Sequence, residues 1–529
     1  MANATTDEKE LKDVIERKQV GETTQKENPE DKRNEIERYK IYLDDLSLEV
    51  KIVDADDYVL HYEISLPKID YVTKALLDEV KRSLIGEIEV ETRTVLDPEK
   101  FKELKLRILD KSKEKLKHVL KKLSEDEIIL LSRVLVNDML GLGEIEYLIA
   151  DPKLEEIVVN SSKEVIWVYH KTRGWLKTNL QIPSEEQIAN YSARVAREVG
   201  REITNLEPLL DAHLITGDRF NATLFPISTS GNTITIRRFS RVPWTIIHLI
   251  SPEIRTISIE AAAFLWLAIE YELSILITGG TASGKTVMLN ALLPFMPANQ
   301  RIITMEDTRE LNLPKYMHWV PLTTRPPTPR GEGEVSLLEL MQNSLRMRPD
   351  RIIVGEVRAK EETEVMFEAM HTGHSCYGTF HALNAQEVID RITSPPMNIP
   401  PIVTSSLHLI VTQHLNRRSG IRRTLEIVEL IKPESGELPE LNLLYRYNPR
   451  NDKVEKVNAS ERVREELELF TGMSESEMLL DIEGKKKVLE WLLRKNIKEV
   501  DDVGKIITQY YVDKEAFLDI VEHDKDLGI

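Results

Sequence analysis

The stretch LSILITGGTASGKTVMLNALL, residues 273–293, decides the fold of this chain. It opens with a short apolar run, continues with small residues and ends with apolar residues at helical spacing. Its middle part matches the pattern G-x-x-x-x-G-K-[ST] at Gly279, Gly284, Lys285 and Thr286. A buried strand, a tight turn and a helix in this order predict a loop that binds phosphate groups.

The chemistry of this loop predicts a bound nucleotide. Small residues let successive backbone N–H groups point at phosphate oxygens, and the helix adds the positive end of its dipole. Lys285 is expected to reach the β- and γ-phosphates, and the Thr286 hydroxyl to bind Mg²⁺. The predicted cofactors are therefore ATP and Mg²⁺. The predicted nucleotide contacts are Gly279, Gly280, Thr281, Ala282, Ser283, Gly284, Lys285, Thr286 and Val287.

Composition limits the class of protein. With 529 residues the chain is too long for one core, so two or three domains are expected. A formal net charge of −18 disfavours nonspecific binding to nucleic acid or to an anionic membrane, although a local basic patch could override it. The single cysteine, Cys376, excludes a disulfide framework and a four-cysteine zinc module. The longest apolar run, residues 261–269, is far shorter than the roughly 20 residues of a spanning helix.

Hydrophobic periodicity divides the chain into regions. After the loop, RIITME, DRIIVGE and CYGTFH alternate with helical patterns, which predicts an α/β domain with a mostly parallel sheet. The predicted regions are a charged flexible or helical arm (1–40), a strand and helical region (41–145), an α+β, PAS-like domain (146–240), a linker (241–256), the α/β domain (257–450) and a helical region (451–529).

Two carboxylates are predicted at the edge of the sheet that holds the loop. Glu306 ends the RIITME strand, where it could orient or deprotonate an attacking water, with Asp307 and Glu310 as weaker candidates. Glu356 follows a buried apolar strand and would act on Mg²⁺ or its waters. Many phosphate-loop ATPases place Asp immediately before this Glu, but Gly355 stands there in this chain.

The segment HTGHSCYGTFHALN contains His371, His374 and His381. A metal site is one interpretation, but this spacing is not common for zinc and no carboxylate joins the three. The favoured interpretation is that His374 and His381 sense the γ-phosphate or tie the sheet to the loop, whereas His371 is structural.

Arginines from outside the α/β domain are candidates for neutralising the γ-phosphate. Arg219, Arg237 and Arg238 lie next to turns in the preceding domain and could act as arginine fingers, from the same or an adjacent subunit. The alternative is that they are ordinary surface arginines. The run RRSGIRR, residues 417–423, indicates a basic hairpin tip, because no aromatic residues are interleaved for a nucleic-acid site.

Four sequence boxes together resemble the secretion-ATPase superfamily that drives type II and type IV secretion and type IV pili. The boxes are GGTASGKT, TMEDTREL, RPDRIIVGEVR and TGHSCYGTFHA, and the resemblance covers roughly residues 148–430. It implies an α/β fold with a RecA-like C-terminal domain, a smaller α+β N-terminal domain and a helical, charged N-terminal extension. It also implies a ring hexamer with ATP between the two domains.

The resemblance implies roles for individual residues and for partners. Hydrolysis would move one domain against the other and drive an integral-membrane platform protein from the cytoplasmic face of the membrane. An anionic membrane surface is then an allowed partner, and nucleic acid is not expected. The implied catalytic and Mg²⁺-binding residues are Lys285, Thr286, Glu306, Glu356, His374, His381, Arg219 and Arg237.

The absence of a four-cysteine zinc element moves the resemblance toward the archaeal branch. EDTRELNLP and the long acidic N-terminal region look most like the archaellum motor ATPase. This implies assembly and rotation of that filament together with accessory archaellum proteins. The alternatives are an archaeal type IV pilus or type II/IV secretion ATPase and a Tad-type pilus ATPase. A nucleic-acid translocase and a non-hydrolysing scaffold are less favoured.

Overall fold

The computed structural model describes residues 34–43, 46–55, 57–66, 71–87, 98–120, 123–214, 216–238, 243–325, 327, 331–432 and 438–524. Most of the arm predicted over residues 1–40 lies outside these ranges. Its described part belongs to a strand that begins at Asn34, so the predicted helix or flexible arm is not found there. Tyr39, Ile41 and Leu43 alternate along this strand and pack against a hydrophobic core.

The strands described in the first half of the chain form one sheet. They are β1 (Asn34–Leu43), β2 (Leu46–Asp54), β3 (His61–Ile64), β4 (Leu154–Val159), β5 (Trp167–His170), β6 (Gly174–Thr178), β7 (Leu209–His213), β8 (Arg219–Thr223) and β9 (Thr233–Arg237). Their order is β1-β2-β3-β6-β5-β4-β9-β8-β7, and β3 and β6 are parallel whereas the other neighbours are antiparallel. Because β3 joins β6, this sheet spans the boundary predicted between residues 145 and 146.

Helices lie between and beside these strands. They are α1 (Tyr71–Glu87), α2 (Pro98–Val119), α3 (Glu125–Leu140), α4 (Ile145–Ala150) and α5 (Glu185–Glu198). The first three pack on one another through small cores of their own, which contain Leu84, Leu116 and Leu135. The α3 helix begins with a complete capping box between Ser124 and Glu127. Helices α4 and α5 cover the sheet and contribute to its main core.

A second sheet organises the second half of the chain. Its described strands are β10 (Ile275–Gly279), β11 (Ile302–Glu306), β12 (Trp319–Thr323), β13 (Arg351–Val357), β14 (Ser375–Phe380), β15 (Leu409–Asn416), β16 (Ile421–Ile431), β17 (Glu440–Asn448) and β18 (Lys453–Lys456). Their order is β12-β11-β13-β14-β10-β15-β16-β17-β18. Pairing is parallel from β12 to β15 and antiparallel from β15 to β18. The predicted α/β class with a mostly parallel sheet is thus confirmed.

Helices cover both faces of this sheet. They are α6 (Ile246–Ile250), α7 (Ile259–Glu270), α8 (Lys285–Leu292), α9 (Leu337–Ser344), α10 (Lys360–His371), α11 (Ala385–Thr393), α12 (Pro401–Thr404), α13 (Arg462–Thr471), α14 (Glu475–Arg494), α15 (Val500–Val512) and α16 (Lys514–Glu522). Helices α7, α8, α14 and α15 share one core with β10, while α9, α10 and α11 share another with β13. The helices after residue 451 therefore complete the core of the α/β domain.

The longest apolar run of the sequence forms part of α7. Every residue from Ala261 to Ile269 is buried, because the sheet covers one side of this helix and the C-terminal helices cover the other. Among the helices that the structure describes, none combines the length and the apolar character needed to cross a membrane.

Candidate active site

The phosphate loop joins the central strand β10 to helix α8. Gly279 has a φ of +148°, and a Cβ at this position would lie 2.3 Å from the backbone oxygen of Gln413 on β15. Gly284, with a φ of +93°, leads into the helix. Ser283 is buried and its hydroxyl donates to the Gly280 carbonyl at 2.8 Å. These contacts hold the loop in a compact turn at the carboxyl edge of the parallel strands, where ligands bind in such sheets.

Lys285 lies folded against this loop. Its Nζ donates to the carbonyls of Gly279 and Gly280, both at 3.1 Å, and lies 3.4 Å from Nδ1 of His381. Burial lowers the pKa of Lys285, and the positive charge of Arg237 lowers it further, whereas Glu356 opposes the shift. An ammonium group in contact with neutral carbonyls, in a partly desolvated site, is suited to receive a phosphate anion.

His381 connects this lysine to Glu356, the acid predicted to act on Mg²⁺ or its waters. It follows the last residue of β14, and its Nε2 contacts Oε1 of Glu356. Its Nδ1 faces the Lys285 ammonium, so the ring lies between the lysine and the carboxylate. Burial alone would raise the pKa of Glu356, but the hydrogen bond from Arg358 and the nearby cationic groups hold it below its usual range. The structure thus brings Lys285, His381 and Glu356 together at the loop.

Glu306 ends β11 at the predicted edge of the sheet, but its side chain is buried. It is only 3% exposed, and its Oε1 accepts the backbone N–H groups of Glu310 and Leu311 at 2.8 and 3.0 Å. A Cβ on Gly355 would lie 3.0 Å from the Glu306 side chain, which explains why glycine precedes Glu356. Glu306 therefore shapes the acidic loop, residues 307–311. Its role in activating water stays a prediction.

Burial of Glu306 gives a testable pH dependence. Burial raises its pKa from 4.5 to about 7, because its desolvation outweighs the two backbone hydrogen bonds. Between pH 4.5 and 7 the unfolded chain loses this proton while the folded chain keeps it, so the raised pKa lowers stability as pH rises. Relative to the wild type, Glu306→Gln should gain about 3 kcal/mol in free energy of unfolding from pH 4 to pH 8. Denaturant titrations at several pH values measure this, and a constant difference between the two proteins would contradict it.

The two arginines proposed as fingers lie on neighbouring strands of the first sheet. Arg219 on β8 pairs in register with Arg237 on β9, and Arg237 is close enough to affect the pKa of Lys285. The domains also meet where Nε2 of His213 lies 2.6 Å from the Thr308 hydroxyl. Both arginines thus belong to the sheet that contacts the acidic loop, and their role as fingers stays a prediction.

Arg238 has a structural role instead. Its side chain is 5% exposed, pairs with Asp218 at 3.3 Å and donates to the carbonyls of Leu148 and Asp151. A guanidinium satisfied in this way, beneath the sheet surface, cannot reach a nucleotide. The suggestion that Arg238 could act as a finger is therefore wrong.

His374 lies at the amino-terminal end of β14, at the opposite end of this strand from the phosphate loop. It precedes β14 whereas His381 follows it, and the six residues between them span about 20 Å. Its Nδ1 lies 3.3 Å from the Thr372 hydroxyl. The expectation that His374 joins the phosphate site is therefore corrected for this chain's own loop. Nδ1 of His371 lies 3.2 Å from the Ser406 hydroxyl, and no group of three potential metal-binding side chains occurs among the described residues.

The sequence model described as "Type II/IV secretion system protein" matches residues 140–442. The chain belongs to this family. The match begins at the end of α3 and ends within β17, so it contains the phosphate loop, Glu356, His381 and both proposed finger arginines. The superfamily resemblance seen in the sequence is thereby confirmed.

Individual relatives differ in how much of the chain they cover. An uncharacterized protein of Methanocaldococcus jannaschii is 35% identical over 387 residues, which is 72% of this chain and 69% of the relative. The type IV secretion system protein PtlH of Bordetella pertussis is 28% identical over 304 residues, 54% of this chain and 87% of PtlH. The crystal structure of the VirB11 ATPase from the Brucella suis type IV secretion system, with 24% identity, covers 54% of this chain and 91% of VirB11 at a TM-score of 0.28.

Three arginines touch the site that the sequence did not predict there. Arg358 contacts Glu356 and lies 3.1 Å from Asp307, so it bridges the ends of β13 and β11. Arg391 donates to the backbone carbonyl of His381, and Arg422 donates to that of Ala282. A sequence signal existed only for Arg358, which stands two residues after Glu356. The other two reach the site from elements distant in sequence.

Proposed function

We propose that this protein is a hexameric, Mg²⁺-dependent ATP hydrolase whose domain motion drives assembly and rotation of an archaellum through an integral-membrane platform protein. The observation that carries the hydrolase proposal is the chain of contacts from Lys285 through His381 to Glu356 beside the phosphate loop. Family membership and the printed name of the VirB11 ATPase support it.

The residues present fit a nucleotide with its metal ion. Loop N–H groups and Lys285 would bind the β- and γ-phosphates, and Lys285 would exchange its carbonyl partners for phosphate oxygens. Thr286 and the ionised Glu356 would hold Mg²⁺, which when bound supplies charge neutralisation at the phosphates. Glu356, with 22% of its side chain exposed, can also orient the attacking water. His381 fixes the position of this carboxylate relative to Lys285.

The first domain would complete the site with positive charge. Arg219 and Arg237 stand on the sheet beside the acidic loop, and an arginine at the γ-phosphate stabilises the charge of the transition state. In a ring, closure of one domain over the nucleotide would bring these groups to their target. The energy of binding and hydrolysis would then appear as motion between the two sheets.

The choice of an archaellum rests on the EDTRELNLP box, the extended N-terminal region and the absence of a four-cysteine element. A relative in Methanocaldococcus jannaschii is consistent with this choice. The second candidate is a type IV secretion ATPase, which the similarity to PtlH favours. The implied location in either case is the cytoplasmic face of the cell membrane.

Assembly should control the ATPase rate. Because the site needs charge from a closing domain or neighbour, the rate per subunit should rise about tenfold as protein concentration increases through the range in which rings form. The rate should rise further when the cytoplasmic loops of the platform protein and anionic lipid vesicles are added. The measurement is phosphate release against protein concentration, with sedimentation to follow assembly. A rate that is constant per subunit and insensitive to the platform would contradict the ring-motor proposal.

The type of filament can be tested in the source cell. A Glu356→Gln allele should abolish archaella and swimming while leaving pili and secreted proteins unchanged. Electron microscopy and motility assays measure this. Loss of pili or of a secreted protein with normal swimming would instead favour the secretion candidate.

A further inference from the structure

The hairpin of β15 and β16 touches the phosphate loop from outside. Arg422, the second residue of β16, donates from Nε to the Ala282 carbonyl at 2.9 Å. Its Cδ would lie 3.6 Å from a Cβ placed on Gly284, so the side chain packs along the loop. Ala282 has a φ of +61°, a left-handed conformation that costs free energy for alanine. A donor that holds this carbonyl therefore stabilises the strained residue of the loop.

The next residues of the same strand bind the segment between α6 and α7. Arg423 is nearly buried, forms a two-bond ion pair with Asp452 at 2.7 and 2.8 Å, and donates to the Ile254 carbonyl at 2.7 Å. The Thr424 N–H donates to the Thr256 carbonyl, also at 2.7 Å. The accepting residues lie in the α6–α7 segment, residues 251–256, which joins two helices of the α/β domain. Consecutive residues of β16 are thus bonded to the phosphate loop and to this α6–α7 segment.

We propose that Arg422 is a positioning residue of the phosphate loop and that β16 couples nucleotide binding to the α6–α7 segment, residues 251–256. The proposal rests on nucleotide binding at the loop and goes beyond the proposed hydrolase activity, because it assigns a residue that positions the loop and a path by which binding reaches another segment of the α/β domain. Arg422 touches a backbone carbonyl, not the nucleotide.

The physical basis is the stiffness of a paired strand. Binding of phosphate draws the loop N–H groups toward the ligand and reorients the peptides between them, including the carbonyl of Ala282. Because Arg422 is bonded to this carbonyl, its side chain and strand β16 shift with the carbonyl. The adjoining Arg423 passes this shift to Asp452 and to the Ile254 carbonyl, to which it is hydrogen-bonded. Linkage requires the effect to be reciprocal, so the position of the α6–α7 segment also changes the affinity of the loop for nucleotide.

The first test separates binding from chemistry. Arg422→Gln should raise the KM for ATP and the Kd of a fluorescent ATP analogue roughly tenfold, because a charge-assisted hydrogen bond to the loop is lost. The kcat should stay within about twofold, since no reacting atom is touched, and Arg422→Lys should recover part of the affinity. The matched control is Arg418→Gln, an exposed arginine in the turn of the same hairpin. Equal affinities in Arg422→Gln and the wild type would overturn the positioning role.

The second test measures the coupling in the full chain. Deuterium uptake of the peptide covering residues 250–257 should change when the wild type and Arg418→Gln are saturated with the ATP analogue. At saturation this response should be lost in Arg422→Gln. Asp452→Asn should bind the analogue with an affinity within about threefold of the wild type and also lose the response, because it weakens the ion pairs that Asp452 forms with Arg423 and with Arg255 of the same segment. A full response in either variant would overturn the coupling. A wild type that does not bind the analogue would instead refute the proposed hydrolase.

Discussion

Replacement of Glu356 by Gln should lower the rate of ATP hydrolysis by about 10²–10⁴-fold while nucleotide binding is retained. The ionised carboxylate lies beside His381 and Arg358 at the end of β13, and its low pKa keeps it charged at neutral pH. Glutamine has nearly the same shape, so it preserves the packing but cannot carry the charge that Mg²⁺ and the attacking water require. Steady-state phosphate release and equilibrium binding of an ATP analogue measure the two effects.

A matched control shows that the effect depends on position. Glu364 lies on α10, is half-exposed and pairs only at 3.5 Å with Lys360, so Glu364→Gln should keep the wild-type rate within about twofold. Retention of more than about a tenth of the activity in Glu356→Gln would contradict the assignment of this acid. Loss of nucleotide binding in the same variant would mean that Glu356 maintains the loop and does not act in hydrolysis.

The parts of the site that sequence predicted are those held within single strand-and-turn units. Glu356 is the penultimate residue of β13 and His381 follows β14, and the carboxyl ends of parallel strands lie at the same edge of the sheet. His374 was predicted at the same edge, but it precedes β14 whereas His381 follows it. The two histidines of the motif are therefore separated by the whole length of the strand. Glu306 lies at the correct edge, but its burial depends on the loop that folds back over it.

The contacts that sequence could not predict join elements far apart in the chain. Arg422 reaches Ala282 across 140 positions, and no local pattern indicates which loop a hairpin arginine will meet. The pairing of β3 with β6 is similarly long-range, so a region boundary was drawn through one sheet. Periodicity reports which face of an element is buried but not the element that covers it.

The C-terminal helices provide the second large expected effect, because they complete the core that carries the phosphate loop. Trp266 on α7 is fully buried, stacks on Phe295 at 5.1 Å and lies 5.0 Å from Tyr510 of α15. Its Nε1 donates to the Tyr511 hydroxyl at 2.7 Å, which in turn donates to the Phe295 carbonyl at 2.6 Å. Phe295 closes the short turn that follows α8. One indole therefore joins α7, α15 and the end of the helix that begins at Lys285.

Trp266→Ala should destabilise this domain by about 3–5 kcal/mol, because it removes a buried aromatic side chain and the hydrogen bond that the Tyr511 hydroxyl accepts, and leaves a cavity. Thermal unfolding followed by circular dichroism should show the decrease, and ATP hydrolysis should be lost in the same temperature range. The control is Trp175→Ala, since this tryptophan on β6 is 41% exposed and should cost about 1 kcal/mol or less. If the helices after residue 451 formed an independent unit, proteolysis of Trp266→Ala would release them while hydrolysis kept its wild-type thermal midpoint. Because these helices share a core with α8, we expect the helices to unfold and hydrolysis to be lost in the same temperature range.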